Sequence, residues 1–527
     1  MTVSRPLLAV LATLMLSTFV GGACVSSPGV SEDIAGVIPS GKADDYLSST
    51  SREYFLSGEM NLTLDAIWAE KEVDAKRDRA KTLAEYKAKA YGYYLNDYLV
   101  AKENEDANGT YDGFGALIKQ TTLDTLIEQT DKDGMRWSVL WEIEMGAPHD
   151  LISKLPIETD AHGATSFKLK VPVLTAWQLE HSSYPRHFDP STYKQDMEEI
   201  VVTIRPEKAS SDAYPEYEEL FKDGKLDVLI LVGGDYNDSR YDLASTEKIF
   251  DWLRIAGYQH EARKYTDLTL DSPPFLRTIN VAGKKVNIEI TLYWGDIVPV
   301  DELDKLRTKI IDAYKTMDVV IYDGHAGQDP GYSGVVYHYN PRHAIPANDF
   351  AALSLPSKYQ IYLFNGCKTY NTYPDAMYRN PVKTTKNLDI ISTINFSWLS
   401  MQATTTSAFL VELLARKGGT HDPQTYMQIL SRINKDANDN VYYGVHGLDD
   451  NPHGNPYADV ASLCQPCTAS AACPGGDNLC VGLSGGTVCA MECTANDGCP
   501  EGYTCAPVTQ GGKVTGHQCL PKGYVCR

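Results

Sequence analysis

Two residues that can perform nucleophilic chemistry follow two apolar runs of the chain. Residues 317–324 form the first run, which ends at His325, and residues 359–366 form the second, which ends at Cys367. A thiolate can attack a carbonyl carbon, and an imidazole can accept a proton and return it. Open α/β sheets place their sites beyond the carboxyl ends of their strands. If both runs are strands of one sheet, a cysteine nucleophile and a histidine base share its carboxyl edge.

The distribution of cysteines sets Cys367 apart. Of the 12 cysteines, ten lie between residues 464 and 526, Cys24 lies near the N-terminus and Cys367 stands alone. A lone cysteine after a strand is more often a buried small hydrophobic residue than a nucleophile. An unpaired thiol in an oxidising compartment is a liability, however, unless it is buried or used. The histidine in the matching position is what favours a catalytic interpretation.

The N-terminal segment is typical of an export signal. Arg5 precedes an apolar stretch at 7–20, and small residues at 21–23 form a cleavage site. Cys24 follows directly, so the segment resembles a bacterial lipoprotein signal, which implies cleavage after residue 23 and a lipid anchor on Cys24. Secretion with an unmodified Cys24 is the alternative. We therefore expect an exported protein, either secreted or anchored in a membrane at the bacterial outer membrane or cell surface.

The ten C-terminal cysteines predict a small disulfide-rich domain at 464–526, because exported compartments are oxidising and short segments cannot build a large core. The same distance along the chain separates Cys467 from Cys493 and Cys473 from Cys499, which indicates two related units. Five disulfides are expected, with their pairing left open, and zinc at Cys464 and Cys467 is the competing interpretation. The set is Cys464, Cys467, Cys473, Cys480, Cys489, Cys493, Cys499, Cys505, Cys519 and Cys526.

Between the two ends, the hydrophobic pattern divides the chain into three further parts. Residues 24–50 are rich in Ser, Gly, Pro and Asp, which predicts a flexible tether. Residues 51–220 combine helical and strand patterns and predict an α+β region, either a prodomain or an accessory module. The near-continuous apolar run 226–232 predicts a strand buried on both faces, and strands then alternate with helices to residue 440. This part predicts an α/β fold in which helices sandwich a mainly parallel sheet.

The charge balance excludes one class of partner. The chain has 48 Lys and Arg against 69 Asp and Glu, which gives a formal net charge of -21. Binding of nucleic acid phosphates requires clustered basic residues. We therefore expect no nucleic acid partner. No cofactor or metal is expected either, because His338 and His343 flank a polar loop without a further ligand at suitable spacing.

At residues 319–325 and 361–367 the chain resembles the caspase-like superfamily of cysteine peptidases, which includes caspases, gingipains, clostripain and CHAT domains. In that superfamily the catalytic histidine and then the cysteine each follow an apolar strand. The resemblance covers about residues 226–434. It implies an endopeptidase for peptide or protein substrates, with Cys367 as nucleophile and His325 as general acid and base. The backbone N–H groups of Ala326 and Cys367 would form the oxyanion hole, although Ala326 stands where the superfamily often has glycine.

The resemblance also implies a substrate pocket built by the loops after the first, third and fifth strands. Those loops offer Arg240, Asp323 and Trp398. Arg240 suits acidic side chains and Asp323 suits basic ones, so the preference stays open, and Asp323 is also a candidate to orient the imidazole. The alternative function is a catalytically silent caspase-like surface lipoprotein with a binding or structural role.

Overall fold

A computed structural model describes most of the chain beyond residue 45. The described residues are 46–104, 118–122, 127–161, 163–182, 197–207, 211–326, 334–371, 373–436, 441–474, 477–494, 496, 499–500 and 502–526. The predicted signal at 1–23 and the predicted lipidation site Cys24 lie outside these ranges. No helix in the described part of the chain is both long and apolar enough to cross a membrane.

The first part of the described chain folds into an antiparallel sheet beside one long helix. Its elements are β1 (Tyr46–Ser48), β2 (Ser51–Thr63), α1 (Val73–Asn104), β3 (Ile118–Thr122), β4 (Ile127–Gln129), β5 (Arg136–Pro148), α2 (Leu151–Lys154), β6 (Glu158–Thr159), β7 (Thr165–Pro172), α3 (Ala176–Ser182) and β8 (Met197–Pro206). The sheet order is β3-β5-β2-β8-β7-β6, and β4 also pairs with β5. Alternate residues of β2, including Tyr54 and Leu56, share a buried core with Ala80 and Leu83 of α1.

The second part of the chain alternates strands and helices. Its elements are α4 (Tyr217–Leu220), β9 (Lys225–Val232), α5 (Tyr241–Ile255), β10 (Phe275–Val281), β11 (Lys284–Trp294), α6 (Leu303–Thr316), β12 (Val319–Asp323), β13 (Gly334–His338), β14 (His343–Pro346), β15 (Gln360–Asn365), α7 (Tyr373–Tyr378), β16 (Leu388–Thr393), α8 (Gln402–Leu413), β17 (Arg416–Lys417), β18 (Thr420–His421), α9 (Tyr426–Asp436) and β19 (Tyr443–His446). Strands β13 and β14 form a separate hairpin.

The remaining strands of this part, together with β1, form one large mixed sheet in the order β1-β19-β16-β15-β12-β9-β11-β10-β18-β17. Neighbours from β16 to β11 are parallel to one another. Strand β19 lies antiparallel to β16, and β10 lies antiparallel to β11. The predicted α/β class is confirmed, but the sheet is mixed, because a parallel centre is flanked by strands that return antiparallel.

Helices cover both faces of the large sheet. In β9, Val228 and Ile230 share a core with residues of α5, α8 and α9. The alternate residues Leu229 and Leu231 pack instead with residues of α6 and α7. A strand covered on both faces needs apolar side chains at every position, which explains the unbroken run at 226–232.

The predicted tether and the α/β region meet at β1. Residues 46–48 were expected within the flexible segment 24–50, but they pair with β19 at the edge of the large sheet. Tyr46 packs edge-on against Tyr370, with ring centroids 5.4 Å apart. Tyr370 in turn donates a hydrogen bond of 2.9 Å to Glu53 of β2 and belongs to the core of the first sheet. The two sheets therefore share packed side chains, and the sheet of the α/β part extends beyond 226–440 to β1 and β19.

The C-terminal part is a disulfide-rich unit, as predicted. It comprises α10 (Ala458–Ser462), β20 (Leu479–Leu483), β21 (Gly486–Glu492), β22 (Tyr503–Gln510) and β23 (Lys513–Pro521). The disulfides are Cys464–Cys526, Cys467–Cys480, Cys473–Cys489, Cys493–Cys505 and Cys499–Cys519. In each of the two related units, one disulfide joins the first cysteine to the third and another joins the second to the fourth. Since all ten sulfur atoms are in disulfides, no thiolate remains there to bind zinc.

Candidate active site

Neighbouring parallel strands bring His325 and Cys367 to one edge of the large sheet. Strands β12 and β15 pair in parallel, with Asp323 opposite Asn365. The N–H of Gly324 donates to the carbonyl of Asn365 over 3.1 Å, so the contact continues beyond the strands. His325 and Cys367 each lie two residues after that register position. The sequence prediction that both residues end adjacent strands thus agrees with the backbone.

Glycine at position 366 lets the histidine and cysteine segments touch. A Cβ atom at Gly366 would lie 2.8 Å from the Cβ of Ala326 and 2.9 Å from the carbonyl oxygen of Gly324. Both separations are shorter than van der Waals contact. The residues that precede the thiol therefore pack directly on those that surround the imidazole, and a larger residue at 366 would force the segments apart.

His325 is oriented by a carboxylate that the sequence analysis did not identify. Its Nε2 atom lies 2.9 Å from Oδ1 of Asp235, and the Asp235 side chain is only 1% exposed. Asp235 follows β9, the parallel neighbour of β12. An ionised carboxylate only accepts hydrogen bonds, so the proton of a neutral His325 resides on Nε2. Nδ1 then remains as the basic nitrogen of the imidazole.

Asp235 is itself held in place by several donors. Its Oδ1 accepts from the backbone N–H of Asn237 at 3.0 Å and from the Asn237 amide at 2.6 Å. Its Oδ2 accepts from the N–H of Tyr241, the first residue of α5, at 3.1 Å. Burial acts to raise the pKa of Asp235, but the hydrogen bonds from His325, Asn237 and Tyr241 outweigh it and hold the pKa below its usual value. The carboxylate therefore stays ionised at neutral pH.

Three tyrosines contact His325, two at its ring and one at its backbone. The ring of Tyr236 stacks on His325 with centroids 4.5 Å apart and planes at 23°, while Tyr339 meets it edge-on at 5.3 Å. The hydroxyl of buried Tyr322 donates to the carbonyl oxygen of His325 at 2.5 Å and accepts from the N–H of Val336 at 3.0 Å. These contacts fix both the ring and the backbone of the histidine.

Cys367 is the one cysteine of the described chain outside a disulfide. Its sulfur accepts from the N–H of Ser397 at 3.4 Å and lies 3.7 Å from the Ser397 carbonyl oxygen. Burial raises the pKa of the thiol, although the Ser397 N–H and the charge of Lys368 act in the opposite direction. The resting sulfur is therefore a thiol at neutral pH, and among the described residues its hydrogen bonds go to Ser397 and not to His325.

The backbone around Cys367 leaves a donor for an oxyanion. The N–H of Gly366 donates to Phe364 over 3.1 Å and the N–H of Lys368 donates to Asn395 over 2.7 Å. No acceptor within the described ranges takes the N–H of Cys367 or that of Ala326. These are the two N–H groups that the sequence analysis assigned to the oxyanion hole, and the contact at Gly366 places their segments side by side.

Asp323 does not have the role that the sequence predicted. It is fully buried, with Oδ1 accepting from the Asn365 amide at 2.8 Å and Oδ2 from the Thr406 hydroxyl at 2.5 Å. Asn365 Oδ1 accepts in turn from the Ser397 hydroxyl at 2.6 Å. Burial raises the pKa of Asp323 to about 7. Asp323 thus neither lines a substrate pocket nor orients His325. It supports the Ser397 segment on which the Cys367 sulfur rests.

The other two candidate pocket residues lie on different sides of the His325 and Cys367 segments. Arg240 donates to both carboxylate oxygens of Asp242, at 3.0 and 2.8 Å, and to Asp296 at 2.7 Å. Its charge is therefore largely balanced. Trp398 directly follows Ser397, is 48% exposed and packs edge-on against Phe396 at 4.9 Å. Trp398 thus lies on the cysteine side of the site, and Arg240 lies on the Asp235 side.

Sequence reasoning missed Asp235 although a signal was present. Gly233 and Gly234 separate it from the apolar run 226–232, and a glycine likewise directly precedes His325 and Cys367. Three adjacent parallel strands, β9, β12 and β15, thus end in an acid, a base and a thiol. Comparison of the chain with models of protein families, with curated proteins and with solved structures finds no match.

Proposed function

We propose that the protein is a cysteine endopeptidase with Cys367 as nucleophile and His325 as general base and acid. The observation that carries the proposal is the Asp235–His325 hydrogen bond of 2.9 Å. It holds the imidazole at the end of β12, the strand next to the one that precedes the free thiol of Cys367. A buried carboxylate that fixes the tautomer of an imidazole is the usual partner of a catalytic histidine. The order of histidine and cysteine on neighbouring parallel strands supports a caspase-like architecture.

The reaction follows from the positions of the proton donors and acceptors. Nδ1 of His325 takes the thiol proton as the sulfur of Cys367 bonds to the substrate carbonyl carbon, and Asp235 stabilises the resulting imidazolium. The backbone N–H groups of Ala326 and Cys367 stabilise the oxyanion, and such a donor contributes about 2.7–4 kcal/mol. His325 then protonates the leaving amine as the C–N bond breaks. A water molecule that the same imidazole deprotonates then bonds to the thioester carbonyl carbon. The C–S bond breaks, and the sulfur takes the proton back from His325, so that the acid product and the thiol are released.

The resting geometry defines one step that must precede this attack. Because the sulfur contacts Ser397 at 3.4 Å and its pKa is raised by burial, the side chain must turn from Ser397 towards His325 when substrate binds. Catalytic hydrogen bonds are commonly long or absent before substrate arrives. Burial of the Cys367 thiol also favours the second candidate function. This is a catalytically silent surface protein that displays its disulfide-rich unit to a partner.

Three histidine and cysteine variants distinguish these functions. Cys367→Ala and His325→Ala should each lower the cleavage of a peptide library by at least about 10³-fold, since both groups act in bond breaking. His517→Ala is the matched control, because His517 is an exposed histidine of the C-terminal sheet. Equal cleavage by all four proteins, or none by the wild type, would reject the peptidase proposal.

Alkylation provides a second test that does not require a substrate. The native thiol should react with iodoacetamide, because a nucleophile must be reachable, and the adduct should map to Cys367 by mass spectrometry. Because the sulfur must turn from Ser397 towards His325 to react, His325→Ala should slow this alkylation by removing the proton acceptor. A thiol that reacts only after unfolding would support the silent surface protein.

We also propose that the protein is exported and carries a lipid on Cys24. The disulfide-rich unit supports an oxidising, extracytoplasmic location. Metabolic labelling with a fatty acid analogue should mark the wild type and not Cys24→Ala. An unlabelled wild type found in the culture medium would indicate simple secretion.

A further inference from the structure

Two short segments hold the sulfur of Cys367. They are the cysteine segment, residues 366–370, and the Ser397 segment, residues 393–397, whose N–H at Ser397 donates to the sulfur. Each segment also carries one residue of the N-terminal core. These residues are Tyr370 and Ile394, which are 0% and 1% exposed and belong to the hydrophobic core that contains α1 and the antiparallel sheet of β2 to β8, the N-terminal sheet. The N-terminal core therefore extends to within three residues of the thiol.

The N-terminal sheet contacts both segments through one cross-strand pair. Glu53 of β2 and Gly146 of β5 lie opposite each other in register. Glu53 is 1% exposed and accepts a hydrogen bond of 2.9 Å from the hydroxyl of Tyr370. A Cβ atom at Gly146 would lie 2.6 Å from Cδ1 of Ile394 and 3.1 Å from Cζ of Tyr370. One pair thus supplies a polar contact to the cysteine segment and a close steric contact to both segments.

The hydrogen bond between Glu53 and Tyr370 is shielded from water. Burial raises the pKa of the Tyr370 hydroxyl, and the negative charges of Glu53 and Glu144 raise it further, so the hydroxyl stays protonated and donates. A buried polar group that loses its partner pays for its desolvation without compensation. The contact therefore resists separation of the N-terminal sheet from the cysteine segment.

The two segments are also bonded to each other. The N–H of Lys368 donates to the carbonyl of Asn395 over 2.7 Å, and the N–H of Thr393 donates to the hydroxyl of Thr369 over 2.9 Å. Packed side chains and hydrogen-bond networks of this kind transmit a displacement from one position to the next. A shift of the segments at the N-terminal sheet would therefore move Cys367 relative to the imidazole.

The path of the chain ties the N-terminal sheet to the α/β part a second time. Strand β1 pairs with β19 at the edge of the large sheet and leads directly into β2. Cleavage between β8 and α4, followed by loss of the N-terminal fragment, would remove this edge strand. It would also expose the side chains of Tyr370 and Ile394 and take Glu53 away from the Tyr370 hydroxyl. This arrangement is that of a supporting module and not of a prodomain that is shed.

We propose that the N-terminal sheet is a permanent part of the catalytic unit, and that Glu53 is a positioning residue that acts on Cys367 through Tyr370. The inference rests on the proposed peptidase function and adds how its nucleophile is held. It also answers the question that the sequence left open, whether residues 51–220 are a prodomain or an accessory module. The module stays attached in the active protein, and activity requires no cleavage between β8 and α4.

Substitutions at the contact test the positioning role of Glu53. Tyr370→Phe and Glu53→Met should each lower kcat by about ten- to a hundredfold and leave KM unchanged, because misplaced reacting groups slow the chemical step and neither side chain lies at the surface where substrate binds. Glu53→Gln should keep kcat within about threefold of the wild type, because its amide oxygen still accepts from the Tyr370 hydroxyl.

Tyr54→Phe is the matched control for Tyr370→Phe. Tyr54 is 1% exposed and precedes no active-site segment, and its hydroxyl donates to the carbonyls of Pro148 and His149 in the N-terminal part. Side chains alternate along a strand, so Tyr54 lies on the opposite face of β2 from Glu53. The control should keep the wild-type kcat. A wild-type kcat in folded Tyr370→Phe, or an equal loss in Tyr54→Phe, would overturn the inference.

A double-mutant cycle of alkylation rates tests the same link without a substrate. The ratio of the iodoacetamide rate with His325 to the rate in His325→Ala measures how well the imidazole reaches the thiol. Tyr370→Phe should reduce this ratio at least about threefold, whereas a general loosening of the fold would change both rates alike. If no peptide is cleaved but the ratio falls in this way, the peptidase proposal fails and the positioning role stands. The same ratio in both backgrounds rejects the positioning role.

A cut between β8 and α4 tests whether the module is permanent. A recognition sequence for a specific protease, inserted there in the full chain, allows the cut to be made after folding. The two fragments should stay together in size-exclusion chromatography, with peptidase activity within about twofold of that of the uncut protein. A rise in activity of tenfold or more after the cut, or an active C-terminal fragment that elutes alone, would show instead that the N-terminal part is a prodomain.

Discussion

Replacing Asp235 by asparagine removes one negative charge beside the imidazole and keeps the size of the side chain. Nε2 of His325 and Oδ1 of Asp235 are 2.9 Å apart. Coulomb's law at an effective dielectric constant of about 20 gives roughly 6 kcal/mol for unit charges at that distance. Because both charges are spread over several atoms, we take about half of this energy, ~3 kcal/mol, as the lower bound of the stabilisation that the substitution removes. The variant should therefore lose about 10²- to 10⁴-fold in kcat/KM, since each 1.36 kcal/mol is a factor of ten.

The same substitution has a smaller effect on folding. An amide can accept at only one of the two positions where the carboxylate now accepts from Asn237 and from Tyr241. One partly buried N–H group then loses its acceptor, which costs about 1 kcal/mol of unfolding free energy. Circular dichroism and a urea titration should thus show a folded variant of reduced stability.

The assay is hydrolysis of a fluorogenic peptide under conditions in which both proteins are folded. Asp238→Asn is the matched control, because Asp238 is an exposed carboxylate of the same loop. It changes the net charge equally and should retain the wild-type rate. If Asp235→Asn cleaves within about threefold of the wild type, the argument that Asp235 orients and stabilises the imidazole is refuted.

Three further predictions concern the supports of the site and the C-terminal unit. Asp323→Asn should remove a pH dependence of the unfolding free energy. Because the pKa of Asp323 in the folded protein is raised to about 7, the wild type loses stability as the pH rises from about 4 to 7. The loss is up to ~1.4 kcal/mol per pH unit. Parallel urea-unfolding profiles of the two proteins across this range would contradict it. Gly366→Ala should lower kcat/KM at least about tenfold, because the new Cβ lies 2.8 Å from that of Ala326 and misplaces the dyad; an unchanged rate would show that the loops adjust. Removing Cys464–Cys526, which are 62 residues apart in the chain, should destabilise the C-terminal unit by about 4 kcal/mol on chain-entropy grounds, and an unchanged melting temperature would refute this.

The sequence predicted the strands of the site better than its side-chain partners. Strands β12 and β15 were recognisable because burial on both faces requires unbroken apolar runs. The predicted role of Asp323 was wrong for the same reason, because a residue inside a strand that is buried on both faces is shielded from solvent. Its carboxyl group is satisfied by Asn365 and Thr406. Thr406 is distant in sequence, so periodicity carried no information about that contact.

Asp235 shows the opposite limit of sequence reasoning. It lies 90 residues from His325 in the chain, and only the sheet order, with β9 beside β12, brings the two together. A parallel neighbour cannot be inferred from the order of strands along the chain, because β10 and β11 intervene and lie on the far side of β9. The residues 46–48 were assigned to a tether because their pairing with β19 is also non-local.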